Sequence, residues 1–310
     1  MNIASPRTDD QTIAQETRWL APAKINLALH VTGRRPDGYH LIDTLVVFAR
    51  FGDRLTFAAD ASDSLEIAGP YGDGLSPSDP SNLVLRARDA LRGAFPGHPT
   101  PPVRIRLEKN LPVASGVGGG SSDAAAAMRG LARLWGLQAG DDDLARIGLP
   151  LGADLPMCLA ARPLRAQGIG DALTLLPHAP PLGIVLVNPG VAVPTAAVFA
   201  ALASRDGSPL PPLPASLDFH PLCNWLETTR NDLEAPARAI APAIGDALAA
   251  LRKAGAHLAR MSGSGATCFG LFESGNLAKR AASRIREKHP GWFVAATRTL
   301  SPEDATHGQA

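Results

Sequence analysis

The residue types in this sequence best able to do chemistry are those suited to phosphate. Leu111-Pro-Val-Ala-Ser-Gly-Val-Gly-Gly-Gly-Ser-Ser-Asp-Ala-Ala-Ala-Ala-Met128 sets Gly116, Gly118, Gly119 and Gly120 directly before a Ser-capped, alanine-rich helix. Glycines let a backbone approach a ligand closely, and a helix start adds unpaired N–H donors and a positive dipole end. Together these make a phosphate cradle; the plainer alternative is a flexible turn with an N-cap. The run is not a P-loop, since no Gly-Lys-Ser/Thr follows. Nor is it the dinucleotide fingerprint, which needs GxGxxG in a strand–turn–helix.

Two further stretches hold isolated charges. Lys24 sits in the apolar, strand-like run Ala21-Pro-Ala-Lys-Ile-Asn-Leu-Ala-Leu29, either as an edge-strand lysine with a solvated head or as a fixed cation for an anionic group. Asp154, boxed by Gly152, Leu155 and Pro156, is either a turn or cap residue or, if it meets Lys24, a proton acceptor for a hydroxyl. Arginine is the default cation here: only Lys24, Lys109, Lys253, Lys279 and Lys288 are lysines among 30 basic residues, which directs attention to Lys24 and Lys109. Gly263 and Gly265 form a tight turn that, beside the first loop, would complete a phosphate site. His40 follows a Gly-Tyr turn, while Asp141–Asp143 is a helix N-terminal charge cluster.

These residues need a scaffold, and composition narrows it. The chain has 310 residues with 45% hydrophobic and 19% charged content, enough for two domains or one large one. Its net charge of +1 disfavours a nucleic-acid binder. Cys158, Cys223 and Cys268 lie far apart with no CxxC, which argues against a zinc site or a disulfide framework. The polar N-terminus lacks a secretory h-region, and no apolar run is long enough to span a bilayer, so no membrane partner is expected. Strands are expected at Trp19–Val31 (interrupted by Pro22), Tyr39–Phe51, Asp53–Ala58, Ser64–Ile67, Val103–Leu107, Gly183–Val187 and Trp292–Thr297, with a strand pair around Met261–Phe272. Helices are expected at Ser81–Phe95, Ser121–Trp135, Asp141–Ile147, Thr195–Leu202, Asn231–Leu251 and Ala278–Lys288. Without a regular βαβ alternation this pattern reads as α+β, with a boundary near residue 160.

Taken together, PAKINLALHVTGRRPDGYHLIDTL (22–45), LPVASGVGGGSSDAA (111–125), LGADLP (151–156) and MSGSGATCF (261–269) resemble the galactokinase/homoserine kinase/mevalonate kinase/phosphomevalonate kinase superfamily. Within it they look most like the branch acting on a cytidyl-methylerythritol. The resemblance implies a two-lobed α+β fold with the active site in the cleft: a loose leader (1–17), an ATP-binding domain (18–161), a substrate-side domain (162–300) and a tail (301–310). It implies a cytoplasmic kinase using ATP and Mg2+, a small-molecule acceptor phosphorylated at its 2-hydroxyl, and a place in non-mevalonate isoprenoid synthesis. A sibling homoserine or mevalonate kinase is the alternative within the class, and a catalytically silent ligand-binding protein of the same fold the alternative outside it.

Carried over by motif, Asp154 is the base and Lys24 its partner, while Asn26 lines the acceptor site. Tyr39 and Phe199 sandwich the cytosine, His40 bonds its edge, and Thr195 lies beside them. Pro112, Val113, Ala114, Ser115, Gly116, Val117, Gly118, Gly119, Gly120, Ser121 and Ser122 wrap the ATP phosphates. Asn82 and Lys109 fall at the adenosine end, and Gly263, Ser264 and Gly265 close the loop. Ser122, by its place at the helix start, is a candidate metal ligand without an evident acidic partner. One departure stands out: the family loop usually reads Pro-x-Gly-Gly/Ala-Gly, and here Ala114 and Ser115 replace its first two small positions, which the loop tolerates if neither needs a positive φ.

Overall fold

The computed structural model describes residues 16–176 and 180–301. The expected leader falls almost wholly, and the expected tail mostly, outside the described residues. Among the described residues, ten strands and nine α-helices follow in the order β1 (Thr17–Arg34), β2 (His40–Ala59), β3 (Ser64–Ala68), α1 (Leu83–Ala94), β4 (Val103–Glu108), α2 (Gly119–Leu134), α3 (Asp141–Gly148), α4 (Leu155–Ala160), β5 (Leu164–Gly168), β6 (Ala172–Leu175), β7 (Gly183–Asn188), α5 (Thr195–Ala200), α6 (Phe219–Glu227), α7 (Glu234–Ile240), α8 (Ala243–Lys253), β8 (Leu258–Met261), β9 (Cys268–Phe272), α9 (Gly275–Lys288) and β10 (Phe293–Arg298). Among the described residues no helix is long and apolar enough to cross a membrane.

The first sheet runs β3-β4-β2-β5-β6, with β1 antiparallel to β2; the second runs β10-β7-β9-β8. Two strands expected in β2 are one, because Gly52 lets the chain bend without leaving the ladder. A Cβ there would lie 1.9 Å from the Ala21 carbonyl oxygen. Pro22 does not break β1, which instead shifts register between Pro22 and Lys24, again between Asn26 and Ala28, and again between Val31 and Gly33. Such bulges re-aim the residues that follow them. The helix expected over Asn231–Leu251 is two helices, α7 and α8, parted before Pro242, whose ring excludes a helix-interior N–H bond. The sequence reading omitted α4, α6 and the β5–β6 hairpin. That hairpin pairs with β2, so the first sheet continues past the boundary expected at 161/162, as far as Leu175.

The core lies in three clusters. One packs α1, α2 and α4 on the first sheet, and another packs α8 and α9 on the second. The third joins Ile25, Leu27, Leu45 and Val47 to Ile184, Leu186, Phe269 and Leu271, so the two sheets share an interior. Helix α2 approaches β2 so closely that a Cβ on Gly130 would sit 2.3 Å from the fully buried Phe57 ring. Gly130→Ala is therefore expected to destabilise the fold by about 1–3 kcal/mol, since the enclosed ring has no room to give. An unshifted urea midpoint in that variant would contradict this packing.

Candidate active site

A cavity of about 1270 Å³ opens between the sheets, lined by residues from both lobes. Its floor is the end of α2. The sequence suggests a serine cap, but the helix starts earlier, at Gly119, and its N-cap is Gly118 in the left-handed region, with φ +66° and no side-chain cap bond. The consequence is chemical. A serine hydroxyl would consume helix-start donors, whereas a glycine cap leaves the first-turn N–H groups pointing into the cavity. No acidic residue occupies that first turn to compete for the dipole.

Gly118 also packs against Lys24: a Cβ there would lie 3.2 Å from the lysine side chain. Lys24 is fixed at both ends. Its backbone N–H donates to the Val117 carbonyl at 2.8 Å. Its ammonium donates to Asp154 Oδ2 at 2.6 Å, with side chains 8% and 38% exposed, respectively. Lysine and aspartate, 130 residues apart, thus meet in the cavity as the sequence required for a proton-accepting role. The second carboxylate oxygen of Asp154 makes no hydrogen bond among the described residues.

The two glycine loops meet backbone to backbone. A Cβ on Gly116 would fall 2.5 Å from the Ser262 carbonyl oxygen, and one on Gly263 would fall 2.7 Å from that of Gly116. Ser262 Oγ donates to Gly116 O and accepts from Asn26 N–H, both at 3.1 Å, while Thr267 N–H donates to Ser115 O at 3.0 Å. Ser264 faces the cavity and shares a 2.8 Å hydrogen bond with Thr195. Gly265 supports the turn with φ +88° but is not a cavity wall.

Asn26 is oriented by a chain of bonds. Thr44 Oγ1 donates to Ala28 O at 2.6 Å, so toward Asn26 it must accept, and it takes the Asn26 amide N–H at 2.9 Å. The Asn26 carbonyl oxygen is left as the unpartnered end, next to Gly263.

Several expected ligands of the phosphates sit elsewhere. Ser121 lines the cavity, but Ser122 is buried, donating to Pro22 O at 2.8 Å, and does not face it. It is thus displaced as a metal candidate. Pro112 and Val117 are also not cavity walls, whereas Val113, Ala114, Ser115, Gly116, Gly118, Gly119 and Gly120 are. Ala114 does need a positive φ, at +50°, a conformation costing an L-residue roughly 1–2 kcal/mol that glycine would avoid. Asn82 lines the cavity while its side chain caps α1 by accepting from Val84 N–H at 2.9 Å.

Lys109 reaches the cavity wall, but its ammonium is committed to a buried cluster that the sequence reading missed. It bonds Asp53 and, at 2.7 Å, Asp123; Asp53 also accepts from Asn110 and Leu111 N–H at 2.6 and 2.8 Å. One ammonium faces two carboxyls. Burial first, and then the neighbouring Asp53 charge against the pull of Lys109, push Asp123 up to about 8. Burial drags Lys109 down, yet the two acids outweigh it and hold it above its ordinary value. Burial and the Asp53 charge thus favour the protonated form of Asp123, the form in which the cluster beneath the glycine loop balances electrically.

At the far end, His40 stacks on Phe199 with centroids 4.6 Å apart, so the imidazole covers a face of the ring assigned to cytosine. Tyr39 stands 60% exposed at the rim. Burial, then the charges of Arg34 and Arg205, hold the His40 imidazole below its ordinary value. Among the described residues no group of three or more His, Cys, Asp or Glu is arranged around a metal.

The GHMP kinases N terminal domain matches residues 82–162, and the GHMP kinases C terminal domain matches residues 216–291. A 4-diphosphocytidyl-2-C-methyl-D-erythritol kinase of Mesorhizobium japonicum is 65% identical over 294 residues, covering 95% of this chain and 99% of the relative. One of Chelativorans sp. is 55% identical over 280 residues, covering 90% and 95%. A crystal structure of 4-(cytidine 5'-diphospho)-2C-methyl-D-erythritol kinase superposes with TM-score 0.74 at 35% identity, over 91% of this chain and 98% of that one. A homoserine kinase from Cytophaga hutchinsonii superposes with TM-score 0.65 at 16% identity, covering 97% and 98%, which is a likeness of fold.

The protonated Asp123 makes a pH prediction. The fold keeps a proton that the unfolded chain loses above its ordinary carboxyl pKa of about 4. This contribution to stability is therefore complete below that value and drains as pH rises toward about 8. Asp123→Asn, neutral and of the same shape, should flatten that slope in urea unfolding at about pH 5 and pH 8 while leaving the fold intact. Asp53→Asn removes the charge that helps hold the proton on Asp123, so Asp123 should ionise against Lys109 and the slope should flatten there as well. An unchanged slope in Asp123→Asn would show the proton lies elsewhere.

Proposed function

The chain belongs to the GHMP kinases, and within them to the 4-diphosphocytidyl-2-C-methyl-D-erythritol kinase family, and on that premise we propose how its cleft carries out the transfer. The reaction moves the γ-phosphoryl group of ATP to the 2-hydroxyl of 4-diphosphocytidyl-2-C-methyl-D-erythritol, in the non-mevalonate route to isoprenoids. The observation that carries the reading is the Lys24–Asp154 contact beside a glycine-capped helix start, in one cavity with the Tyr39, His40 and Phe199 rings. A silent module of this fold would have no need of that buried lysine and its acid.

Phosphoryl transfer asks the protein for positioning and charge neutralisation rather than covalent chemistry. The N–H groups from Gly119 onward take the phosphates at the dipole end of α2. Asp154 accepts the proton of the acceptor hydroxyl as its oxygen attacks, and Lys24 fixes the carboxylate and offsets the charge that gathers there. Asn26, held by Thr44, borders the same hydroxyl. The apolar walls Leu83, Val84 and Leu107 suit the adenine, with Asn82 at their edge. For the cytosine, Tyr39 and Phe199 supply aromatic faces and His40 a polar edge. A base stacking on the same face of Phe199 requires the imidazole to yield that face.

Mg2+ fits the donors at the phosphate end, which are hard oxygens. Ser121 would offer it a hydroxyl oxygen, the remaining ligands coming from phosphates and water. When bound, it neutralises charge on the phosphates during transfer.

Asp154→Asn should cut turnover by at least about two orders of magnitude while nucleotide affinity stays nearly intact. Near-normal turnover in a coupled ADP-release assay would refute the base. Replacing Tyr39 or Phe199 by Ala should raise the KM for the cytidyl acceptor and leave that for ATP unchanged. The clamp fails if neither variant alters the acceptor KM.

A further inference from the structure

Arg34 and Arg205 both line the acceptor end of the cavity, one at the close of β1 and the other on the proline-rich connection between α5 and α6. Neither guanidinium is neutralised by a carboxylate among the described residues. Arg34 Nε donates to Gly38 O at 3.2 Å, and the rest of its fork makes no hydrogen bond there. Asp37, the nearest acid in sequence that also lines the cavity, is taken by Arg35 at 2.7 Å. Arg205 makes no hydrogen bond or ion pair among the described residues, and its neighbour Asp206 is not a cavity wall. Both share the cavity with His40, whose protonation their charges disfavour.

A segment reading Ser-Arg-Asp-Gly-Ser-Pro-Leu-Pro-Pro-Leu-Pro would ordinarily wander. Here it is laced down immediately after Arg205. Gly207 N–H donates to Val31 O at 3.0 Å, so near that a Cβ on Gly207 would lie 2.6 Å from the same oxygen. Ser208 O accepts from His30 Nδ1 at 2.9 Å, while His30 Nε2 accepts from Arg230 N–H at 3.2 Å. A backbone N–H can only donate, so this fixes the tautomer. Leu210 N–H donates to Asp43 Oδ2 at 3.0 Å, and Arg165, itself paired with Asp43, donates to Leu210 O at 3.1 Å. This strap gives Arg205 a fixed base on β1 and β2.

We infer that Arg34 and Arg205 form a cationic jaw for the diphosphate of the acceptor, making the site select a nucleoside-diphosphate-linked alcohol over an uncharged one. The inference rests on the cytidyl reading above and adds two residues to it. An aromatic slot recognises a planar base of any charge, whereas two un-neutralised guanidiniums beside it recognise a phosphate chain attached to that base. A carboxylate or a neutral polyol would leave one of the two forks without a partner.

The test is calorimetric, with cytidine 5'-diphosphate and cytidine as probes. The intact enzyme should bind the diphosphate at least about fivefold more tightly than the nucleoside, by a margin that shrinks with added salt. Arg205→Met, which keeps the side-chain stem, should lose most of that ratio without changing cytidine affinity or the KM for ATP, and Arg34→Met should do likewise. A thermal melt checks that both variants fold. If the double variant retains the wild-type ratio, the jaw is wrong and the cytidyl reading survives. If the unmodified enzyme binds neither probe while still binding ATP, the cytidyl reading itself falls, and the jaw with it.

Discussion

The site depends on the open edge of β1. One edge of that strand pairs with β2 along its length; the other is covered by no strand among the described residues and satisfies its backbone groups otherwise. Four loops do so in turn. Lys24 N–H goes to Val117 of the phosphate loop, Asn26 N–H to Ser262 of the second glycine loop, Leu29 N–H to Arg230, and Val31 N–H to Asp232 Oδ2 at 2.7 Å. The Val31 carbonyl then receives the strap at Gly207. A single strand thus sets the relative positions of both glycine loops, the substrate-side lobe and the arginine-bearing connection. Residues 21–31 of β1 are buried on both faces, so a slip by one residue would exchange those faces and carry the Lys24 side chain away from Asp154.

The bulges in β1 follow from the same demand. An unbroken strand would alternate its N–H groups between the two edges without regard to which loop needs a donor. The shift after Pro22 brings the Lys24 N–H to the phosphate loop, and the side chain to Asp154, at one position. Pro22 itself has no N–H to lose, and the glycine opposite it, Gly52, admits the close approach. Backbone irregularity and catalytic placement are one feature here.

Two lysines mark two electrostatic regimes. Lys24 pairs with a partly exposed acid, where solvent softens the charge and the free carboxylate oxygen stays available for a proton. Lys109 lies in a buried cluster where charge must balance within the protein, and there burial and a second acid raise Asp123 and favour its protonated form. The first arrangement is reactive and the second rigid. The rigid one stands under the first turn of α2, within 3.6 Å of where a Gly119 Cβ would be, and so backs the N–H groups proposed to take phosphate.

What the sequence determined by itself was the chemistry that is local in the chain. Four glycines before an alanine-rich helix point to a phosphate cradle, the proposed role of that loop, because the conformations and donors involved belong to neighbouring residues. The apolar surroundings of Lys24 and Asp154 likewise mark them without any fold. Period-two and helical spacing recovered most elements of both lobes, and the motif order identified the kinase family. The tertiary structure alone decided which distant groups meet. Asp53 and Asp123 read as an ordinary strand-end acid and a helix-turn acid until the fold brings both to Lys109, 56 and 14 residues away. Ser121 and Ser122 are equal in sequence, yet the helix starts at Gly119 and its rotation sends one to the cavity and the other to Pro22. Arg205 sits in a segment whose composition suggests a loose surface loop, and only hydrogen bonds to His30, Val31 and Asp43 make it part of a wall. Local propensity is written in neighbouring residues, whereas pairing across 50 to 200 positions depends on the register of one strand, which no short window of sequence contains.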